Sequence, residues 1–467
     1  MLFSSTPFLY WFLPCVLVLY IVTPRRLKNA TLLLSSLFFY GWGEPRYVIW
    51  MIFAIVMGYM FGLLIEHFQN NAHLAKLFLV LSVTSSLAML GYFKYADFFI
   101  QNFNAVTGLS VPLLKVTLPI GISFYTFQIL SYTVDVYRRE VKAQKNIIDL
   151  AAYVALFPQL IAGPIVRYSD VADQLKKRTH SVEKTVLGMR RFVIGLGKKI
   201  MIANQLGELC SVFRNSSEQS VLFFWLYAVA YSLHVYFDFS GYSDMAIGLG
   251  KIFGFDFLEN FNYPFISKSI TEFWRRWHMS LGSWFRDYVY IPLGGNRVCV
   301  PRHLFNIFVV WMLTGLWHGA AWNFIVWGLY FAILLIVEKV WLLKHLKNSR
   351  ILSHIYVVIL AVVSFVIFDA TSMGQAFSYI GAMFGVGENP LVSAEYFYYL
   401  RSYFVILVIA VIGATPIPKK IINGINQTSL GGTVMTIVEP LAISTLLIVC
   451  TAYLVDGSYN PFLYFRF

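Results

Sequence analysis

The stretch "LTGLWHGAAWNFIVWGLY", residues 313–330, carries one imidazole, His318, among residues that are otherwise almost all apolar, aromatic or small. The apolar run extends on both sides, over 304–337. A run of that length either crosses a bilayer or forms the centre of a large soluble core, so its reading decides the fold. Composition decides it for the membrane. The chain is 58% hydrophobic, 18% aromatic and 13% charged, with mean hydropathy +0.66. Soluble domains carry about 25% charged residues.

Bilayer-spanning helices need about 17–25 apolar residues. Clear runs cover 8–23, 48–65, 74–92, 221–237, 304–337, 355–368, 403–417 and 434–455. Shorter or interrupted ones cover 30–42, 113–134, 147–165 and 190–209. The pattern predicts an all-α polytopic membrane protein of about eleven transmembrane helices. Some segments are re-entrant or interfacial, since non-helical backbone at membrane depth is tolerated where protein surrounds it. The sequence shows no repeat, low-complexity tract or linker, so residues 1–467 are expected to form one membrane domain.

The net charge of +13 would suggest nucleic acid in a soluble chain. Here the positive residues cluster in "TPRRLKN", "VYRREVKAQK", "QLKKRTHSVEKTVLGMRR", "KHLKNSR" and "IPKK", which reads as five cytoplasmic loops. Arg25 and Arg26 follow the first apolar run, so that run is expected to be a retained span with the N-terminus outside. Cys15, Cys210, Cys299 and Cys450 are widely spaced and suggest neither a disulfide framework nor a zinc site. The aromatic tail "DGSYNPFLYFRF" suits a membrane interface.

Four polar blocks interrupt the pattern: 118–138, 157–168, 234–255 and 260–297. The second contains Gly163-Pro164, a stop signal that suits a segment dipping in and returning. The last is too polar to span, yet rich in aromatics, and is expected to form helices at the interface.

Of nine histidines, His234, His278 and His318 lie in the membrane pattern. An ionisable group there is a functional candidate because desolvating it is costly. Imidazole can stay neutral and accept a proton near neutral pH, as a general base must. The bland alternative is a buried ring bonded to a neighbouring helix. Around His318, Gly315, Gly319, Ala320 and Ala321 leave room, while Trp311, Trp317, Trp322 and Trp327 supply walls. That suits the lining of a central tunnel better than a lipid-facing surface.

"WHG" at 317–319 and "FWRRWHMSLGSWFRDYVYIPLGGNR" at 273–297 resemble the membrane-bound O-acyltransferases, in particular the bacterial branch of alginate O-acetylation. "GYFKYADFF", "LPIGISFYTFQILSYTVDVYR", "FPQLIAGPIVRY" and "YFDFSGYSDMAIGLGKIFGF" also resemble that branch, in the same order. The resemblance implies that His318 is the catalytic histidine and His278 its supporting partner. It implies an acyl group, acetyl in the first instance, moved from a cytoplasmic thioester toward hydroxyls of an extracytoplasmic polysaccharide. The donor would be acetyl-CoA or an acyl carrier, and a separate exported protein would complete the transfer. The setting would be a bacterial plasma membrane. Residues alone leave the supporting roles open. His278 or the indole N–H groups of Trp277 and Trp317 are candidate oxyanion donors. Arg275 and Arg276, with Arg286 and Arg297, are candidate phosphate contacts or interfacial anchors. Asp238 and Asp244 shape a polar funnel or form buried ion pairs.

Two alternatives stand beside this reading. One is D-alanyl transfer from a carrier protein to a cell-wall polymer. The other is a transporter or flippase built on Asp238, Asp244 and Glu439. A membrane glycosyltransferase is weaker, for want of an Asp-x-Asp motif. No His/Cys/Asp cluster has metal-ligand spacing, and none is needed, because a thioester is already activated.

Overall fold

A computed structural model of the chain describes residues 2–161, 163–346 and 348–457. Ala162, Lys347 in the fourth basic cluster, and the aromatic tail from Ser458 onward lie outside the described residues. Every regular element among the described residues is helical. Seven helices among the described residues are long and apolar enough to cross a membrane. The other expected spans fold as helices too short or too polar for that, or break. The 147–165 segment, for instance, divides into Ile147–Ala155 and Phe157–Leu160 at Leu156 and Pro158.

The packing groups the chain into two compact units. The first comprises Met1–Phe192 and Met245–Leu258. Its spans α1 (Val48–His67) and α2 (Ala72–Leu90) pack on α3 (Ile122–Tyr137). Small residues set the approach. A Cβ at Gly58 would lie 2.9 Å from Ile129, and one at Gly62 would lie 2.5 Å from the Tyr132 hydroxyl. Helices in lipid gain little from the hydrophobic effect against one another, so such close packing carries the association.

The second unit comprises Val193–Asp244 and Glu259–Phe467 and holds every candidate site residue. Its central helix is α4 (Val221–Ile252), whose last residues belong to the first unit. The polar block at 234–255 does not interrupt this helix, which runs through it to Ile252 with His234, Asp238, Ser240 and Ser243 buried in protein and Asp238 paired with Lys199. In its apolar window, 78% is buried, against 6% for the helix Ser429–Val455. Two short helices follow α4, α5 (Ile270–Arg276) and α6 (Met279–Phe285), where interfacial helices were expected. Their aromatic residues Phe273, Trp277, Trp284 and Phe285 are buried in protein.

The 304–337 run is not one span. It folds as an antiparallel hairpin of α7 (Val300–His318) and α8 (Trp322–Val337). Gly319 and Ala321 are extended and break the helix. Glycines let the arms touch: a Cβ at Gly315 would fall 2.4 Å from the Phe324 carbonyl, and one at Gly328 would fall 2.3 Å from that of Trp311. The helix α9 (Arg350–Asp369) packs on α8 and ends beside the hairpin turn.

A carboxylate ties the short helices to the hairpin. Glu338, fully buried in a π-turn continuing α8, accepts from the N–H of Ile270 at 2.5 Å and the N–H of Thr271 at 2.9 Å. It also accepts from the Thr271 hydroxyl at 2.6 Å. These are the orphan donors at the start of α5, where negative charge is favourable.

Candidate active site

His318 is the last residue of α7, and its ring is buried. Three aromatic rings meet it edge to face: Trp327 at 4.9 Å, Trp317 at 5.0 Å and Phe368 at 5.3 Å between centroids. The extended backbone at Gly319 is what frees His318 at a helix end. A side chain there would drive a Cβ to 2.3 Å from the Phe324 ring. Phe368 is held in place by Asn323, which donates to its carbonyl at 3.2 Å. The next residue, Asp369, is fixed by Arg214 and by the hydroxyl of Tyr227.

His278 is the second of the two residues between α5 and α6, directly before α6. Its backbone is left-handed, with φ 45° and ψ 54°. For a residue with a Cβ that conformation costs about 1–2 kcal/mol, so the surroundings must enforce it. The segment at 260–262 does so: Asn262 N–H donates to the Arg276 carbonyl and Met279 N–H to the Asn260 carbonyl, both at 2.9 Å. The side chain of Asn260 completes the clamp. Its Oδ1 lies 3.0 Å from His278 Nδ1 and accepts from Ser280 Oγ at 2.9 Å and Ser280 N at 3.4 Å. Phe239 meets the His278 ring edge to face at 4.7 Å. Burial pushes this imidazole down to about 3, so it stays neutral. Its Nε2 is buried with no hydrogen-bond partner among the described residues.

One indole joins the two histidines. Trp317 lies 5.8 Å from His278 and 5.0 Å from His318. Residues forty apart in sequence thus both contact a single ring.

The other candidates fall elsewhere. Trp277 packs among Phe261, Phe273 and Phe365, at 5.2, 5.5 and 5.1 Å, and its ring contacts are with these residues rather than with either imidazole. Arg275 is exposed. Arg276 pairs with Glu272 at 2.8 Å and donates to the Asn262 carbonyl, so it braces the turn. Asp238 forms a fully buried ion pair with Lys199 at 2.5 Å, and Asp244 pairs with Lys198 at 2.7 Å. These are the ion pairs offered as one alternative. His234 Nδ1 bonds the Ala203 carbonyl at 2.6 Å.

Three features escaped the sequence reading. Asn260 gives no signal of its own among neighbouring polar residues. Glu338 does: an acid inside an apolar helix meets the same criterion that singled out the histidines. Trp327 was read only as a wall. Its Nε1 is buried without a partner among the described residues, on a ring that faces His318.

Comparison with known proteins adds two findings. The membrane-bound O-acyltransferase family model matches residues 37–381. Among relatives, the probable alginate O-acetylase AlgI of Azotobacter vinelandii is 40% identical over the full length of both chains. The peptidoglycan O-acetyltransferase of Helicobacter pylori is 34% identical over 84% of this chain and 81% of its own. The teichoic acid D-alanyltransferase of Bacillus subtilis is 34% identical over 52% of this chain and 65% of its own.

Proposed function

The chain belongs to the membrane-bound O-acyltransferase family, a multi-pass membrane enzyme, and from that premise we propose that it acetylates hydroxyls of an extracytoplasmic polysaccharide, with His318 as general base. The observation that carries this is the convergence of both imidazoles on Trp317. The full-length similarity to an alginate O-acetylase favours acetyl over D-alanyl transfer.

The chemistry follows from the residues. The acceptor hydroxyl attacks the thioester carbonyl as its proton passes to His318. The tetrahedral intermediate collapses, expelling a thiolate that takes up a proton. His318 stands at the C-terminal end of α7, where the last carbonyls carry partial negative charge and favour a cation. The Trp327 N–H is a donor beside it for the developing oxyanion. Acetyl-CoA or an acyl carrier supplies the thioester from the cytoplasm of a bacterial cell. The attacking hydroxyl is that of an exported partner protein, which carries the acetyl group on to the polymer.

Thioester turnover by purified protein tests the reading. Wild type should release free thiol from acetyl-CoA or an acetylated carrier, and His318→Ala should lose about 10²–10⁴-fold of that rate. A His318→Ala protein that turns over thioester at the wild-type rate would overturn it.

A further inference from the structure

Asn260 lies outside every motif that pointed to function, yet among the described residues it alone hydrogen-bonds the His278 ring. The orientation of its amide is decided by a neighbour. Ser280 N is a backbone donor and faces the side-chain atom of Asn260 that also faces His278 Nδ1. A backbone N–H requires an acceptor, so that atom is Oδ1, as the hydroxyl of Ser280 at 2.9 Å also allows. An oxygen facing Nδ1 requires Nδ1 to carry the proton. A neutral ring protonated there presents a bare lone pair at Nε2.

We infer that Asn260 is a positioning residue that locks His278 in the Nδ1–H form, so that His278 acts in the reaction as a hydrogen-bond acceptor through Nε2. This rests on the acyl-transfer reading. It also revises the role His278 was given from sequence. The ring has no proton to offer an oxyanion at Nε2. It accepts from an O–H or N–H of the substrate and so orients it. Oxyanion stabilisation then falls to an indole such as Trp327.

The left-handed backbone of His278 fits this role. An isolated His reaches two ring orientations and two tautomers easily. Here the strained turn, the Asn260 clamp and the edge of Phe239 leave one. Nine-tenths or more of both side chains is buried, so no bulk water competes for Nε2.

The test uses full-length protein in lipid, labelled with ¹⁵N-histidine, with the His278 signals assigned by their loss in His278→Gln. Wild type should show His278 protonated at Nδ1 and bare at Nε2. Asn260→Ala should release the tautomer and lower turnover about 100-fold with little change in donor KM. Asn260→Asp keeps the oxygen but adds a negative charge that favours the imidazolium, which cannot accept. Its turnover should survive at alkaline pH, and the acid limb of its pH profile should move upward. A purely structural asparagine would move neither the tautomer nor that limb. A wild-type ring protonated at Nε2, or an Asn260→Asp protein as inactive as Asn260→Ala at every pH, would overturn the inference. If Asn260→Ala fails to fold, the wild-type spectrum and the Asp variant still decide. Normal thioester turnover in His318→Ala would remove the acyl-transfer reading and leave the tautomer result standing, so the two failures are distinct.

Discussion

His318 and His278 touch the same indole and sit in different local backbones. His318 ends a regular helix and is walled by three aromatic rings. His278 sits in a strained two-residue turn and is fixed by a polar clamp. Aromatic edges restrict where a ring lies without dictating which nitrogen carries the proton. A side-chain oxygen at Nδ1 dictates it. The difference assigns the His278 role: the residue that must keep one proton state is held by a hydrogen bond at Nδ1.

The largest expected effect breaks the contrast at its foundation. Gly328→Val places a branched side chain where even a Cβ would lie 2.3 Å from a backbone carbonyl. Overpacking of this kind costs about 3 kcal/mol. The hairpin should open, with loss of folded protein from the membrane and of both histidine positions. Membrane abundance by immunoblot checks this, and wild-type abundance would show that the arms are not in contact.

Next, Trp327→Phe keeps the wall beside His318 and removes its N–H. Turnover should fall about 10²-fold at unchanged abundance, the usual cost of one oxyanion donor. An active Phe variant would return Trp327 to a packing role. Glu338→Gln acts on the other histidine. It weakens the anchor of α5, at a cost of about 1–3 kcal/mol for poorly satisfied buried donors. Thermal stability in detergent should fall, and activity should fall with it through His278.

A smaller effect concerns pH. Burial depresses the His278 imidazole to about 3, from an ordinary value near 6.5. Between those values the unfolded chain binds the proton and the folded one does not. The contribution is therefore intact above about pH 6.5 and is lost as the pH falls through the window below it. Melting temperature should decline on acidification across that window, less steeply in His278→Gln. Smallest of all, Arg275→Ala removes an exposed side chain and should change turnover less than about threefold. A large rise in donor KM there would restore its phosphate role.

The membrane class was legible because apolar length is a local property. So were the basic clusters and the two histidines, since a titratable ring in an apolar run stands out. The helix count was not. Counting apolar residues cannot tell a 34-residue run that crosses from one that folds back, and the signal for folding back was the spacing of Gly315, Gly319 and Gly328. Asp238 and Asp244 were seen, but their partners Lys199 and Lys198 come from another helix. Asn260 was invisible because its role exists only when the turn at 276–280 lies against it, eighteen residues from His278 in sequence.

The central claim is that His318 moves a proton. It is tested most directly by the acetyl content of the polymer in cells carrying His318→Gln, at protein levels matched to wild type. Glutamine keeps size and hydrogen bonding but accepts no proton at neutral pH. The account predicts that acetylation collapses, as in His318→Ala, while the protein remains folded in the membrane. Near wild-type acetylation in the Gln variant would make His318 a structural residue and contradict the mechanism.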